Sequence, residues 1–474
     1  MDLKYIFLLP FISLLFPASY FNIGAFVCSY TIVAKTGFFI ALLCLKLEEL
    51  QKHLIYLYKQ TPFRYLVYLY VWILISGLYN VIFGYYSISK FLYYSIFQFI
   101  FGCISIYILT SYIFPKHLSL RFLIKFLVFS YYFLIFFGLL EFIGHITENS
   151  FIQSINDFVV NTRFYRTDVI YTPALNRVKS TFAEPGWYGS FICFNLPIIY
   201  SITRSKYKIF ENAILNLFTK KWLVPLIWFS IILTKSPIWL IICVIVTLLF
   251  FKKNIITFLQ RHIIHILSII LATFIFIQLF IYDINIEDTY LYRIVLSLQS
   301  LGSLDMLVMK EASLANRIIC YVFTLMVFFK YPIFGVGLWN TGRYIIDVIN
   351  SSSIPLTKEL QSKYMFAWTN KNVVINANSA IFYNTLSDLG IIGFCILYYF
   401  LIKHYFFCKQ IVKNSYGIEK DFSKGISSAI LVIIFTSIYD TYLTNIYIWF
   451  ILAMSLSCYH NLKIQCYNKI KLQN

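Results

Sequence analysis

The chain has 474 residues, of which 60% are hydrophobic, 20% aromatic and only 12% charged. An ordinary soluble domain is roughly half apolar and a quarter charged, and soluble cores stop growing near ~250–300 residues. Soluble enzymes, nucleic-acid binders and disordered chains are thereby excluded, and residues 1–474 are expected to form one integral membrane domain whose net charge of +19 reflects Lys and Arg collected in short cytoplasmic loops.

Apolar stretches of about 20 residues mark bilayer-crossing helices. In chain order they predict an all-α polytopic fold of about 12 transmembrane helices, near 4–20, 23–45, 65–86, 91–114, 122–143, 187–203, 222–234, 237–251, 262–282, 379–402, 426–439 and 445–460. The opening MDLKYIFLLPFISLLFPASYF resembles a signal peptide but has no clear small-x-small cleavage site, so it reads as an uncleaved first helix. The Lys/Arg-rich segments 46–64, 115–125, 204–221, 252–261, 403–425 and 461–474 alternate with the other loops. Placing them on the cytoplasmic side puts both termini there too. A further apolar stretch, Ile318 to Leu338, would reverse that pattern as a thirteenth span, so it is expected as an interfacial or re-entrant helix. Two long segments then lie outside, about 144–186 and 283–378. The ten cysteines fall mostly in apolar stretches and read as small buried hydrophobes.

The outer segments carry basic residues against the insertion bias: Arg163, Arg166, Arg177 and Lys179 in the first, and among others Arg317, Lys330 and Arg343 in the second. Arginine grips phosphate in a bidentate geometry and stays charged at any working pH. A lipid-linked diphosphate at the membrane surface would need such donors, although most of these residues read better as solvated loop charges. Arg177 and Arg317 stand apart by their surroundings. Arg177 opens RVKSTFAEPGWYGSF, where Pro185-Gly186 makes a rigid turn that sets Glu184 at the membrane lip. Glu184 then serves either as a base on a sugar hydroxyl or as a salt-bridge partner of Arg177 or Lys179. Arg317 heads SLANRIICYVFTLMVFFKYPIFGVG and reads on its own as an interfacial anchor, with Pro332, Gly335 and Gly337 ending its helix. In NANSAIFYNTLSDLG, Asn376, Asn378 and Ser379 either orient a sugar or cap a helix.

Together these segments resemble the bacterial O-antigen polymerase and ligase superfamily (Wzy and WaaL types). The shared features are an arginine before a T-F-x-E-P-like turn, a second arginine heading a helix that ends in P-x-x-G-x-G, and a polar approach to a helix carrying acidic-x-Gly. Here they are Arg177 with Thr181-Phe182-Ala183-Glu184-Pro185, Arg317 with Pro332, Gly335 and Gly337, and Asn378 with Asp388 and Gly390. A weaker family segment, LT-x-S-R, is matched by Leu233-Thr234-Lys235-Ser236, with Pro237 where the arginine would stand. The similarity covers roughly residues 130–400.

The resemblance implies metal-independent and cofactor-free glycosyl transfer at the periplasmic face of the bacterial inner membrane. An oligosaccharide on undecaprenyl diphosphate is the donor, Arg177 and Arg317 take up the charge on the departing diphosphate, and Glu184 is the candidate base. Lys179, Arg166, Arg343, Asn378 and Ser379 are the expected substrate-binding residues. Membrane lipids, a chain-length regulator and a flippase are the expected partners, and no nucleic acid is. Ligases carry a histidine at the polar approach to the tenth span. This chain has Asn378-Ser379 there and no histidine between 266 and 403, which favours a polymerase over a ligase and leaves the base open. A lipid-oligosaccharide flippase is the other alternative. Ionisable residues within the expected spans are few, chiefly Lys35, Glu141 and Asp440, which favours surface chemistry over transport. A metal-dependent transferase would need acidic ligands in the first outer loop, and residues 19–24 contain none.

Overall fold

The computed structural model describes residues 20–23, 26–84, 86–116, 119–152, 178, 180, 185–234, 236–251, 312–352, 354–357, 360–361, 380–439 and 446–473. Among them the chain is helical apart from one short hairpin. Strand β1 (Tyr20–Ile23) pairs antiparallel with β2 (Phe26–Ser29), with Tyr20 opposite Ser29 and Ile23 opposite Phe26. The backbone of these residues is committed to the ladder, so the helix expected from residue 23 begins instead at Tyr30, as α1 (Tyr30–Leu43).

Helix α2 (Leu47–Gln60) is amphipathic, with Glu48 and Glu49 in its first turn and Lys59 in its last, both favourable to the helix dipole. Helix α3 (Phe63–Phe83) follows. Next, α4 (Ile88–Phe91) passes into a π-helical stretch, Leu92–Ile104, and then into α5 (Ser105–Lys116). Ser119 caps α6 (Leu120–Thr147) by accepting the Phe122 N–H. Then come α7 (Pro185–Arg204), α8 (Ala213–Lys221), α9 (Leu223–Leu233) and α10 (Pro237–Phe250). The remaining helices are α11 (Ala312–Lys330), α12 (Thr341–Asn350), α13 (Ile381–Asn414), α14 (Gly417–Thr436) and α15 (Ile446–Gln473).

Among the described residues four helices are long and apolar enough to cross a bilayer: Phe63–Phe83, Ile88–Tyr112, Leu120–Gly144 and Ile381–Asn414. A fifth is added if α8 and α9, bent by 48° at their junction, count as one span. The separate spans expected at 222–234 and 237–251 are short. Eleven residues in α9 and fourteen in α10 rise only ~16 and ~21 Å against ~30 Å of hydrocarbon. Of the expected spans at 4–20 and 262–282, all but Tyr20 lies outside the described residues. Helix α3 shows how such a protein sorts its side chains. Val71, Ile75, Leu78 and Ile82 recur at helical spacing on its exposed face, while Leu69, Ile73, Ser76 and Asn80 are buried. This apolar exterior with polar groups turned inward is that of a helical membrane protein.

The buried residues form two clusters. The larger contains Trp239, Trp449, Tyr107 and Phe194 and holds most of the helices together. The smaller joins Ala315, Ile319, Cys320, Phe323 and Val327 of α11 to Tyr344, Ile345 and Val348 of α12. Residues expected in the second outer segment therefore build a core of their own.

Candidate functional site

Pro332, Gly335 and Gly337 lie directly against Ser387-Asp388-Leu389-Gly390. The Val336 N–H donates to the Ser387 carbonyl at 2.9 Å, the Gly337 N–H to the Asp388 carbonyl at 2.9 Å, and the Ile391 N–H to the Pro332 carbonyl at 2.8 Å. Gly335 and Gly390 both take φ +66° where the chains cross. A Cβ on Gly335 would stand 2.4 Å from the Asp388 carbonyl oxygen, and one on Gly390 2.0 Å from that of Ile333. Only glycine permits this approach. Helix α13 is broken at Gly390 as a result.

The Asp388 side chain, 4% exposed, accepts from the Trp339 N–H at 2.9 Å, the Thr341 N–H at 3.2 Å and the Thr341 hydroxyl. Asn340 makes no side-chain cap bond at the start of α12. Asp388 supplies that cap from a distant helix and places its charge at the positive end of the α12 dipole. From the other side α3 holds the same loop. Trp72 donates its indole N–H to the Leu389 carbonyl at 2.8 Å, Ser76 its hydroxyl to Phe334 at 2.6 Å, and Asn80 its amide to Gly335 at 3.2 Å. Tyr86 donates to the Leu338 carbonyl at 2.7 Å, and burial pushes its phenol pKa well above the ordinary range, so it remains a donor. This junction is a scaffold in which the Asp388 carboxylate, the crossing carbonyls and the α3 donors are engaged with one another.

Arg317 lies elsewhere, at a corner centred on Tyr439. Its guanidinium carbon is 4.8 Å from the Tyr439 ring centroid. A ring face attracts a guanidinium electrostatically and so helps to fix the cation's position. The Tyr439 ring meets the fully buried Trp239 edge-on at 6.0 Å. Trp239 in turn lies along the first turns of α7, where a Cβ on Gly189 would be 2.9 Å from Cδ1 and one on Gly186 3.9 Å from Nε1. The third segment reaches the same corner. Tyr321 donates to the Tyr439 carbonyl and stacks on Tyr383 at 4.5 Å. The Phe382 N–H donates to the Ser437 carbonyl at 3.0 Å, and the Tyr398 and Ser437 hydroxyls are 2.6 Å apart.

The turn Ser437–Tyr439 after α14 is thus a hub. It joins the arginine-headed α11, the start of α13 and, through Trp239, the start of α7. Arg343 belongs to the other region: it sits half-buried on the Asp388-capped helix α12, close enough to Lys90 for the two cations to repel. Arg166, Arg177, Lys179, Glu184, Asn378 and Ser379 lie outside the described residues; Val178, Ser180, Pro185 and Ala380, each next to one of them, are described. Val178 is fully buried and donates its N–H to the Leu233 carbonyl at 3.0 Å, so the LT-x-S-like corner of α9 holds the residue after Arg177. Ala380, next to Ser379, is fully buried beside the hub. Among the described residues no three His, Cys, Asp or Glu side chains gather as a metal site. Sequence reasoning missed Tyr439 and Trp239, because in a chain that is 20% aromatic no single ring stands out.

The arrangement offers a ring-mounted cation where α11 and the start of α13 meet the turn after α14, which Trp239 links to the start of α7. Fold and site together define a helical integral membrane protein with a cationic, aromatic corner. In comparison with known proteins, no family model matches the chain and no curated protein matches it.

Proposed function

We propose that the protein is a polysaccharide polymerase of the bacterial inner membrane, a glycosyltransferase that joins undecaprenyl-diphosphate-linked oligosaccharide repeat units at the periplasmic face. The acceptor sugar hydroxyl attacks the donor anomeric carbon, forming the new C–O bond as the bond to the diphosphate oxygen breaks. The electron pair leaves on undecaprenyl diphosphate, the configuration inverts, and the hydroxyl proton passes to Glu184 or to water. Arg177 and Arg317 neutralise the charge that develops on the leaving diphosphate. Losing one such preorganised donor lowers the rate by roughly 10²–10³.

The observation that carries this reading is the mounting of Arg317 on Tyr439, at the corner where the α7 and α13 starts are also held. A lone interfacial anchor needs no such convergence. The test is genetic and chemical. In the source bacterium, Arg177→Ala and Arg317→Ala, each expressed at the wild-type level, should abolish long-chain surface polysaccharide while single repeat units accumulate on lipid or core. Normal chain length from either variant refutes its assignment. Transfer of finished chains to a core acceptor, with no extension, would identify a ligase instead.

A further inference from the structure

Glu141 is an acidic side chain near the end of the apolar helix Leu120–Gly144 and is only 5% exposed. Ionisable groups in such helices are usually kept for a task. Here Oε2 accepts the Ser180 N–H at 2.9 Å. The Ser180 hydroxyl donates to the Leu134 carbonyl at 2.6 Å. Leu134, Gly138 and Glu141 recur at helical spacing on one face of α6. Gly138 keeps the middle of that face low, since a Cβ there would stand 3.3 Å from Val178 Cγ1 and 3.6 Å from the Tyr188 hydroxyl oxygen. Ser180 takes φ +53°, a conformation that a non-glycine residue keeps only where its surroundings over-determine it. Val178, fully buried and bonded to the Leu233 carbonyl, closes the other end.

We propose that Glu141 is a positioning residue: by holding the Ser180 N–H it helps to lock Ser180 and Val178 into the α6 cradle and so fixes the point from which Arg177, one peptide bond before Val178, extends. Its functional meaning rests on the reading of Arg177 as a ligand of the leaving diphosphate. The docking itself does not. An unpaired carboxylate has no reason to lie in this face of α6, whereas a carboxylate whose partner is the backbone of an exported segment sets that segment's depth and direction. The bond needs an acceptor oxygen rather than a charge, so glutamine should replace Glu141 and leucine should not.

The test uses the full-length chain in cells, with the exposed Cys44 and Cys395 changed to serine and a reporter thiol introduced as Val178→Cys. Labelling by a membrane-impermeant maleimide is counted above that of the same chain without the reporter. It should be slow in the parent and in Glu141→Gln, and about tenfold faster in Glu141→Leu as the docked segment opens. Gly138→Val, which obstructs the cradle without touching Glu141, should give the same rise and guards against a Glu141→Leu chain that fails to insert. Chain extension should follow the labelling, with a loss of about 10²-fold in the two undocked variants and near-parental product from Glu141→Gln. Parental labelling in both Glu141→Leu and Gly138→Val, or Glu141→Gln labelling as fast as Glu141→Leu, overturns the proposal. Normal extension from Arg177→Ala, with the labelling pattern as expected, instead refutes the polymerase reading of Arg177 and leaves the docking intact.

Discussion

Two regions of the molecule, both recognised from the same family-like segments, use their polar residues in opposite ways. At the Asp388 junction the carboxylate accepts three donors from the start of α12, and two backbones cross through Gly335 and Gly390. The polar groups there are turned on one another. At the Tyr439 corner a cation is held by a ring face, and the aromatic residues Tyr321, Tyr383 and Tyr439 are only partly buried. Residues singled out by the same sequence reading can therefore end in a closed polar junction or in an aromatic corner, and only the structure separates the two. Asp388, Gly335 and Gly390 are frame. Arg317 belongs to the corner that the frame positions.

The sharpest way to break this comparison is Gly390→Ala. A Cβ cannot be accommodated 2.0 Å from the Ile333 oxygen and φ +66° is strained for any other residue, so a loss of about 4 kcal/mol or more is expected. Little folded protein should survive detergent extraction, and a melting temperature equal to wild type would show that the crossing does not exist. Next in size is Asp388→Ala, which strands the donors at the start of α12 and should cost about 3–5 kcal/mol, with Asp388→Asn milder. Thermal unfolding in detergent reads both. Arg317→Ala should behave in the opposite sense. Chain extension should fall by about 10²–10³ while stability moves by less than ~1 kcal/mol; a large loss of stability without loss of product would reclassify Arg317 as frame. Tyr439→Ala should cost about tenfold in extension and Tyr439→Phe almost nothing, because the ring face rather than the hydroxyl carries the cation. The smallest effect belongs to Ser76→Ala. It removes one bond to the Phe334 carbonyl and should lower stability by about 1 kcal/mol with chain length unchanged on a polysaccharide gel.

Much of the frame was legible in the sequence, though only piece by piece. Pro332, Gly335 and Gly337 read as a tight turn and Gly390 as part of a helix motif. That each glycine makes room for the other's backbone could not be read, because the pairing joins residues far apart in the chain. The Asp388 cap escaped for the same reason: capping is inferred from adjacent residues, and Asn340, the adjacent one, does not cap. Helix periodicity placed α3, α6 and α13 closely, since long apolar runs leave little choice. It failed at residues 20–29, where the same apolar residues form a hairpin; at 222–251 it placed both helices to within a residue or so, although their shortness leaves the crossing of a bilayer open. Arg317 was legible from its position heading an amphipathic run, but its partner Tyr439 was not, because aromatic residues are abundant throughout.

Helix α13 has 34 residues with a break at Gly390, and the stretch from Ile391 to Asn414 alone supplies ~36 Å, more than the ~30 Å of a bilayer's hydrocarbon. If that stretch fills the bilayer, the part before the Gly390 break, which carries Tyr383, extends beyond the hydrocarbon, and acyl-chain length would set how far. Reconstitution into vesicles of graded lipid thickness should shift the emission of a fluorophore attached near Tyr383, with thicker bilayers drawing it toward the oily interior.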